Sequence, residues 1–179
     1  MKIFLLQNKV FFALYFLFLI IGGFILFRFE KGDEILYFNS LHTPFFDDVF
    51  KRISQLAEFP AMVLILIVTI FSGYGKGLLL SLNSLFIFLF VLLFKKVVFA
   101  NQIRPALMFE STVHLNFVEG VNIYHYNSFP SGHTATAFGL FFMLSIFSKD
   151  KGWSIFLFSL ALLVGISRVY LLQHFFRDI

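Results

Sequence analysis

Residues 10–27 read VFFALYFLFLIIGGFILF, eighteen consecutive positions without a charge. No other segment restricts the fold so tightly. A helix that crosses a bilayer takes about 20 apolar residues, and only a helix satisfies all its backbone groups within one such segment. Lys2 and Lys9 precede the run and Arg28 follows it. A cleaved leader has a shorter apolar stretch, of about 7–15 residues, with a small-x-small site behind it. The run has neither feature, so the reading is a retained first helix.

Four further apolar runs follow, near Pro60–Phe71, Gly77–Phe94, Thr134–Phe147 and Trp153–Ile166. Only 13% of the chain is charged against 59% hydrophobic, where soluble domains carry about 25% charged residues. The expectation is a single all-α domain over residues 1–179, a polytopic membrane helix bundle with five spanning helices. Between the first two spans, Phe46, Val49, Phe50, Ile53 and Leu56 recur at three and four spacing with charges between them. That pattern predicts a short amphipathic helix lying at the interface. The net charge of +4 is scattered, which gives nucleic acid no basic surface and suits anionic headgroups. With no cysteine there is neither disulfide nor thiolate metal site.

Polar residues that lipid tolerates poorly gather in three places: KKVVFANQIRPAL (95–107), SFPSGHTATAF (128–138) and SRVYLLQHFFRDI (167–179). Span counting brings them together. The third span ends where the first cluster begins, and two crossings later the fifth ends at Ser167, so all three clusters meet on one membrane face. Charge alone does not orient that face. With the N-terminus cytoplasmic, the inner segments hold Lys2, Lys9, Lys76, Lys149 and Lys151, five of fourteen basic residues.

The clusters carry chemistry. On a continuous closing helix, His174 and Asp178 would stand at i and i+4; the carboxylate would fix the imidazole tautomer and leave the other ring nitrogen as nucleophile or base. Arg168 offers a planar fork for phosphate oxygens. The plain alternative is a basic juxtamembrane segment reaching to headgroups. In the second cluster Ser131 reads as an N-cap, Gly132 admits a ligand close to the backbone, and His133 lies on the first turn of a helix whose N-terminus attracts anions. A capped helix with an interfacial histidine explains the serine and proline equally, but does not require the histidine. In the first cluster Pro105 biases Arg104 toward extended backbone. Two histidines, a carboxylate, two arginines, a lysine and a capped helix form the inventory of phosphoryl transfer. Metal ligation by the histidines is the rival, and no HExxH pattern supports it.

On these residues the chain resembles the type 2 phosphatidic acid phosphatase (PAP2) superfamily, whose signature is K-x6-RP, then PSGH, then SR-x5-H-x3-D. The third part is complete at Ser167-Arg168, His174 and Asp178, and the second at Pro130–His133. The intervals, 24 residues between Pro105 and Pro130 and 33 between His133 and Ser167, are similar to those of membrane members. The first part departs: Val97 occupies the lysine position, with Lys96 one residue and Lys95 two residues further away. A one-residue insertion in the extended stretch would restore Lys96. Membrane members usually have six spanning helices, so the resemblance also implies a sixth beyond Asp178 and a C-terminally truncated chain.

The resemblance implies that His174 attacks phosphorus to form a phosphohistidine, Asp178 orients it, and His133 protonates the leaving group. Lys96, Arg104, Ser131, Gly132 and Arg168 would hold the phosphate oxygens, with no metal and no cofactor. It implies a lipid phosphate or diphosphate phosphatase of the inner (plasma) membrane, its site facing the periplasm or cell exterior. Candidate substrates are undecaprenyl diphosphate, phosphatidylglycerol phosphate, phosphatidate and lipid A phosphate; the partners are the bilayer and the lipid, not nucleic acid. A phosphotransferase using the same site, and a non-catalytic lipid-phosphate binding or transport protein, are the alternatives. His42, His114, His125 and Arg177 fall outside the motifs and read as loop or interfacial residues.

Overall fold

The computed structural model describes residues 8–148 and 150–179; Lys2 and Lys149, counted above for orientation, lie outside them. Among the described residues the regular elements are all helical: α1 Lys9–Arg28, α2 Asp33–Ser40, α3 Pro44–Gln55, α4 Phe59–Ser72, α5 Tyr74–Leu93, α6 Pro105–Phe109, α7 Gly132–Ser148 and α8 Lys151–Tyr170. A π-helical turn, Phe94–Val98, prolongs α5, and a 3-10 turn, Phe176–Asp178, closes the chain.

Three of these helices are long and apolar enough to cross a bilayer: α1, α5 with its π turn (Tyr74–Val98), and α8. At about 1.5 Å per residue, the 14 residues of α4 are short for a hydrocarbon core of about 30 Å. It qualifies only together with α3, from which it is bent by 49°. The 17 residues of α7 are likewise shorter than the other spans. The fold is the expected all-helical membrane bundle, with spans of unequal length.

The apolar sequence serves two environments. Half of the apolar window of α8 is buried, against 11% for α1 and α5, so α8 is the central helix and the other two present their outer faces to lipid. Phe27, Phe71 and Tyr74 are each at least 86% exposed, a cost in water that hydrocarbon removes. Inside, Ala137, Leu140 and Phe141 of α7 pack with Leu157, Ala161 and Val164 of α8. α1 joins through rings: Phe11 lies 5.0 Å from Phe142 and 5.3 Å from Phe158. A second core of Ile35, Phe109, Leu115, Val169, Leu172 and Phe175 lies under the polar end of the molecule.

Segment 28–59 differs from the single interfacial helix expected of it. It forms two helices, α2 and α3, and α3 is docked along α8. Asp48 and Arg52 pair at 2.7 Å on its exposed face. On the other face Asp47 accepts from Tyr170 Oη at 2.6 Å and lies 3.0 Å from His42 Nδ1. His42 stacks on Tyr170 with ring centroids 4.5 Å apart. His42 lies in the loop between α2 and α3, and its side chain, 7% exposed, braces α3 against α8.

Candidate active site

The closing motif is not one helix. α8 stops at Tyr170 because the chain makes a Schellman turn: Gln173 N–H donates to the Arg168 carbonyl (2.9 Å) and Leu172 N–H to that of Val169 (3.0 Å). Leu172 takes the left-handed conformation, φ +58°, a position glycine usually fills. Its side chain is 2% exposed in the second core, and that burial offsets a backbone cost of roughly 1–2 kcal/mol. The i, i+4 helical face expected for His174 and Asp178 is therefore absent. The pair forms across the turn instead, with His174 Nδ1 3.8 Å from Asp178 Oδ2.

That separation is an ion-pair distance, longer than a hydrogen bond. Asp178 Oδ2 is held by Ser128 Oγ–H (2.5 Å) and by the Phe175 N–H (3.0 Å). Burial works to raise the Asp178 carboxyl, but His174 and these hydrogen bonds outweigh it and leave it below the usual range. His174 is 1% exposed. Burial foremost pushes it down to about 3; Arg104, Arg168 and Lys95 push the same way, while Asp178 opposes them. The pair is thus a carboxylate facing a neutral imidazole. The proton belongs on Nδ1, toward the carboxylate, which leaves a lone pair on Nε2.

The other two clusters fold against this turn. Ser131 N–H donates to the Asp178 carbonyl at 2.9 Å, tying the start of α7 to the closing turn. Ser131 Oγ accepts from Thr134 N–H (3.4 Å) and Oγ–H (2.9 Å), the N-cap geometry anticipated. A Cβ on Gly132 would meet only Val91 Cγ1, at 3.6 Å, so neighbouring atoms alone do not demand glycine there. Arg104 is extended (φ −97°, ψ 166°) at the start of α6. Its guanidinium donates to the carbonyls of Tyr126, Gln173 and Asn127 at 2.8, 2.8 and 3.2 Å, and Nη1 lies 3.4 Å from His174 Nε2. Arg168 Nη1 donates to Ser54 Oγ of α3. Arg168 Nε is buried with no hydrogen-bond partner among the described residues.

The two candidate lysines differ in their surroundings. Lys96 is exposed, whereas Lys95 is half-buried, and it is Lys95 whose charge acts on both His133 and His174. The cause is the π turn, closed by Phe99 N–H on the Phe94 carbonyl at 2.7 Å. A π turn inserts one residue into a helix and rotates what precedes it. The extra length lies in the helix, not in the extended stretch, and brings Lys95 to the inner side.

His133 and Arg168 share a cavity of about 160 Å³, with Glu58, Tyr124 and Gln173 also in its wall. Sequence reasoning missed Ser54, Ser128 and Gln173, all at most 3% exposed. Polar residues next to apolar ones on a buried face were a faint signal for Ser54; nothing in the motifs pointed to Gln173. A larger cavity, about 640 Å³, is lined by His114 and His125 but by none of the expected site residues. Arg177 is 43% exposed and lies 3.8 Å from Asp178 Oδ1. Among the described residues no three His, Cys, Asp or Glu side chains gather as a metal site.

Two solved structures share this arrangement of helices. LpxE of Aquifex aeolicus is similar with a TM-score of 0.69 and 27% identity, over 84% of this chain and 87% of that one. A transmembrane PAP2-type phosphatidylglycerolphosphate phosphatase of Bacillus subtilis is similar with a TM-score of 0.58 and 26% identity, over 94% of this chain and 86% of the other. No curated protein sequence matches. The sequence model of the PAP2 superfamily matches residues 76–179, more than half the chain and all three polar clusters, and by that match the protein belongs to the PAP2 superfamily.

Proposed function

We propose that this protein is a metal-independent phosphatase of lipid phosphates or diphosphates that works through a phosphohistidine. One observation carries the reading: Arg168, 7% exposed, keeps a buried N–H without a partner among the described residues, beside a cavity shared with His133. An unsatisfied buried donor costs about 1–3 kcal/mol, and a phosphate oxygen would recover it. Family membership and the named activity of the Bacillus subtilis relative support the same chemistry.

In this mechanism His174 Nε2 attacks phosphorus. The bond from phosphorus to the leaving oxygen breaks, and His133 supplies the proton that oxygen needs. Water then attacks the phosphohistidine, giving its proton to His133 and releasing phosphate and the free imidazole. Arg104, Arg168, Lys95 and the N-terminus of α7 at Ser131 and Gly132 stabilise the equatorial oxygens, the work a metal does elsewhere. Asp178 positions His174. The substrates fitting this site are phosphatidylglycerol phosphate, phosphatidate, lipid A phosphate and undecaprenyl diphosphate, met at the outer face of the inner membrane.

Trapping tests the intermediate. Brief incubation with a lipid carrying ³²P, then denaturation, should leave acid-labile, base-stable label on the wild-type chain and none on His174→Ala. Label that persists on His174→Ala would place the nucleophile elsewhere.

A further inference from the structure

The closing turn is gripped by a part of the chain that lies outside all three polar clusters. Glu34, half-buried in the first turn of α2, accepts from the Phe176 N–H through Oε1 at 3.1 Å, across 142 residues of sequence. Its other oxygen, Oε2, accepts from the Gly32 N–H at 3.0 Å. One carboxylate thus ties the start of α2 to the turn that links His174 to Asp178.

The local sequence builds this grip. Gly32 takes φ +106°, and a Cβ there would stand 2.7 Å from Phe109 Cζ, so glycine alone fits. Lys31 places its ammonium 4.1 Å from the centroid of the Phe175 ring. Ile35 joins Phe175 in the second core, and both are 0% exposed. Within the turn, Phe175 N–H donates to Asp178 Oδ2 and Asp178 N–H to the Phe175 carbonyl. Those bonds shape the turn but do not fix its place in the bundle. Among the described residues, Glu34 supplies the one hydrogen bond that reaches the backbone of residues 175–177 from another segment.

We infer that Glu34 is a positioning residue: by holding Phe176 it sets the Asp178 carboxylate against Nδ1 of His174. The inference rests on the phosphatase reading above and adds to it. Glu34 lies outside the 76–179 region that the family model matches. The His174–Asp178 pair, at 3.8 Å, is already longer than a hydrogen bond, so slack in the turn separates it further. A misplacement of about 1 Å costs about a hundredfold in rate.

The test follows release of ³²P-phosphate from micellar phosphatidylglycerol phosphate and phosphatidate by the full chain and its variants. Glu34→Ala should lower kcat by about tenfold to a hundredfold and leave KM within about threefold, because Arg104 and Arg168 still hold phosphate. Glu34→Asp keeps the charge but falls short of Phe176; it should lose kcat likewise, and it guards against a folding defect in the alanine variant. Glu34→Gln keeps an oxygen for the Phe176 N–H and should retain most of the wild-type kcat. The deciding measurement is the double variant. Since Glu34 acts through Asp178, Glu34→Ala should cost less than about threefold in an Asp178→Asn background. An equal loss in both backgrounds makes Glu34 a general stabiliser of the fold and overturns the inference, as does an unchanged kcat in Glu34→Ala. Either result leaves the phosphatase reading standing, whereas wild-type protein that releases phosphate from neither lipid overturns both.

Discussion

Replacing Ser54 with alanine removes the hydroxyl that accepts from Arg168 Nη1 and leaves a buried guanidinium short of a second partner. A hydrogen bond to a charged group contributes about 2 kcal/mol, so kcat/KM should fall roughly thirtyfold; equal turnover in both proteins would show that Arg168 does not depend on α3. His174 gives a pH prediction. Its folded value, about 3, lies below the ordinary 6.5 because burial disfavours the cation. Between those values the unfolded chain binds more protons than the folded one, so stability rises with pH across that window. The neutral-imidazole contribution is complete above about pH 6.5 and is lost as pH falls toward 3. Thermal unfolding in detergent from pH 7 to 4 should show this loss, with a shallower slope for His174→Gln. Parallel slopes would contradict the burial argument. Sequence reading found His174 and Asp178 through their spacing, but not Ser128, whose hydroxyl reaches Asp178 from 50 residues away. Such partners are set by folding and leave no local pattern.

α7 and α5 approach closely at Gly139, where a Cβ would stand 2.0 Å from Ile87 Cδ1 and 3.3 Å from Asn83 Nδ2. Gly139→Ala forces Ile87 out of place and should cost about 1–3 kcal/mol, seen as a lower unfolding temperature in detergent. An unchanged temperature would mean the two helices are not packed this way. The apolar runs announced most helices, because a helix in lipid needs little beyond length. Its ends were harder to read. The Schellman turn after Tyr170 has leucine where glycine is the usual sign, and burial of Leu172 stands in for it. The π turn at Phe94–Val98 has no compositional mark at all, and it leaves Lys95 half-buried and Lys96 exposed. α3 was legible as amphipathic, but its surroundings were not: the same pattern fits a lipid interface and a groove beside α8.

Across the molecule, the convergence of the three clusters was foreseeable from span parity alone. The folded chain brings Arg104, Ser131, Arg168, His174 and Asp178 to one end of the bundle through direct contacts between segments up to 70 residues apart. Counting spans grouped the clusters; it could not give distances or the cavity. We propose that these groups form a phosphatase site which needs no metal. The most direct measurement is phosphate release from micellar phosphatidylglycerol phosphate and phosphatidate, with EDTA present, by the wild-type chain and His174→Ala. EDTA-resistant release by the wild type, reduced at least a thousandfold by the substitution (about 4 kcal/mol of transition-state stabilisation), is the predicted result. Release that EDTA stops, or that survives in His174→Ala, would contradict it.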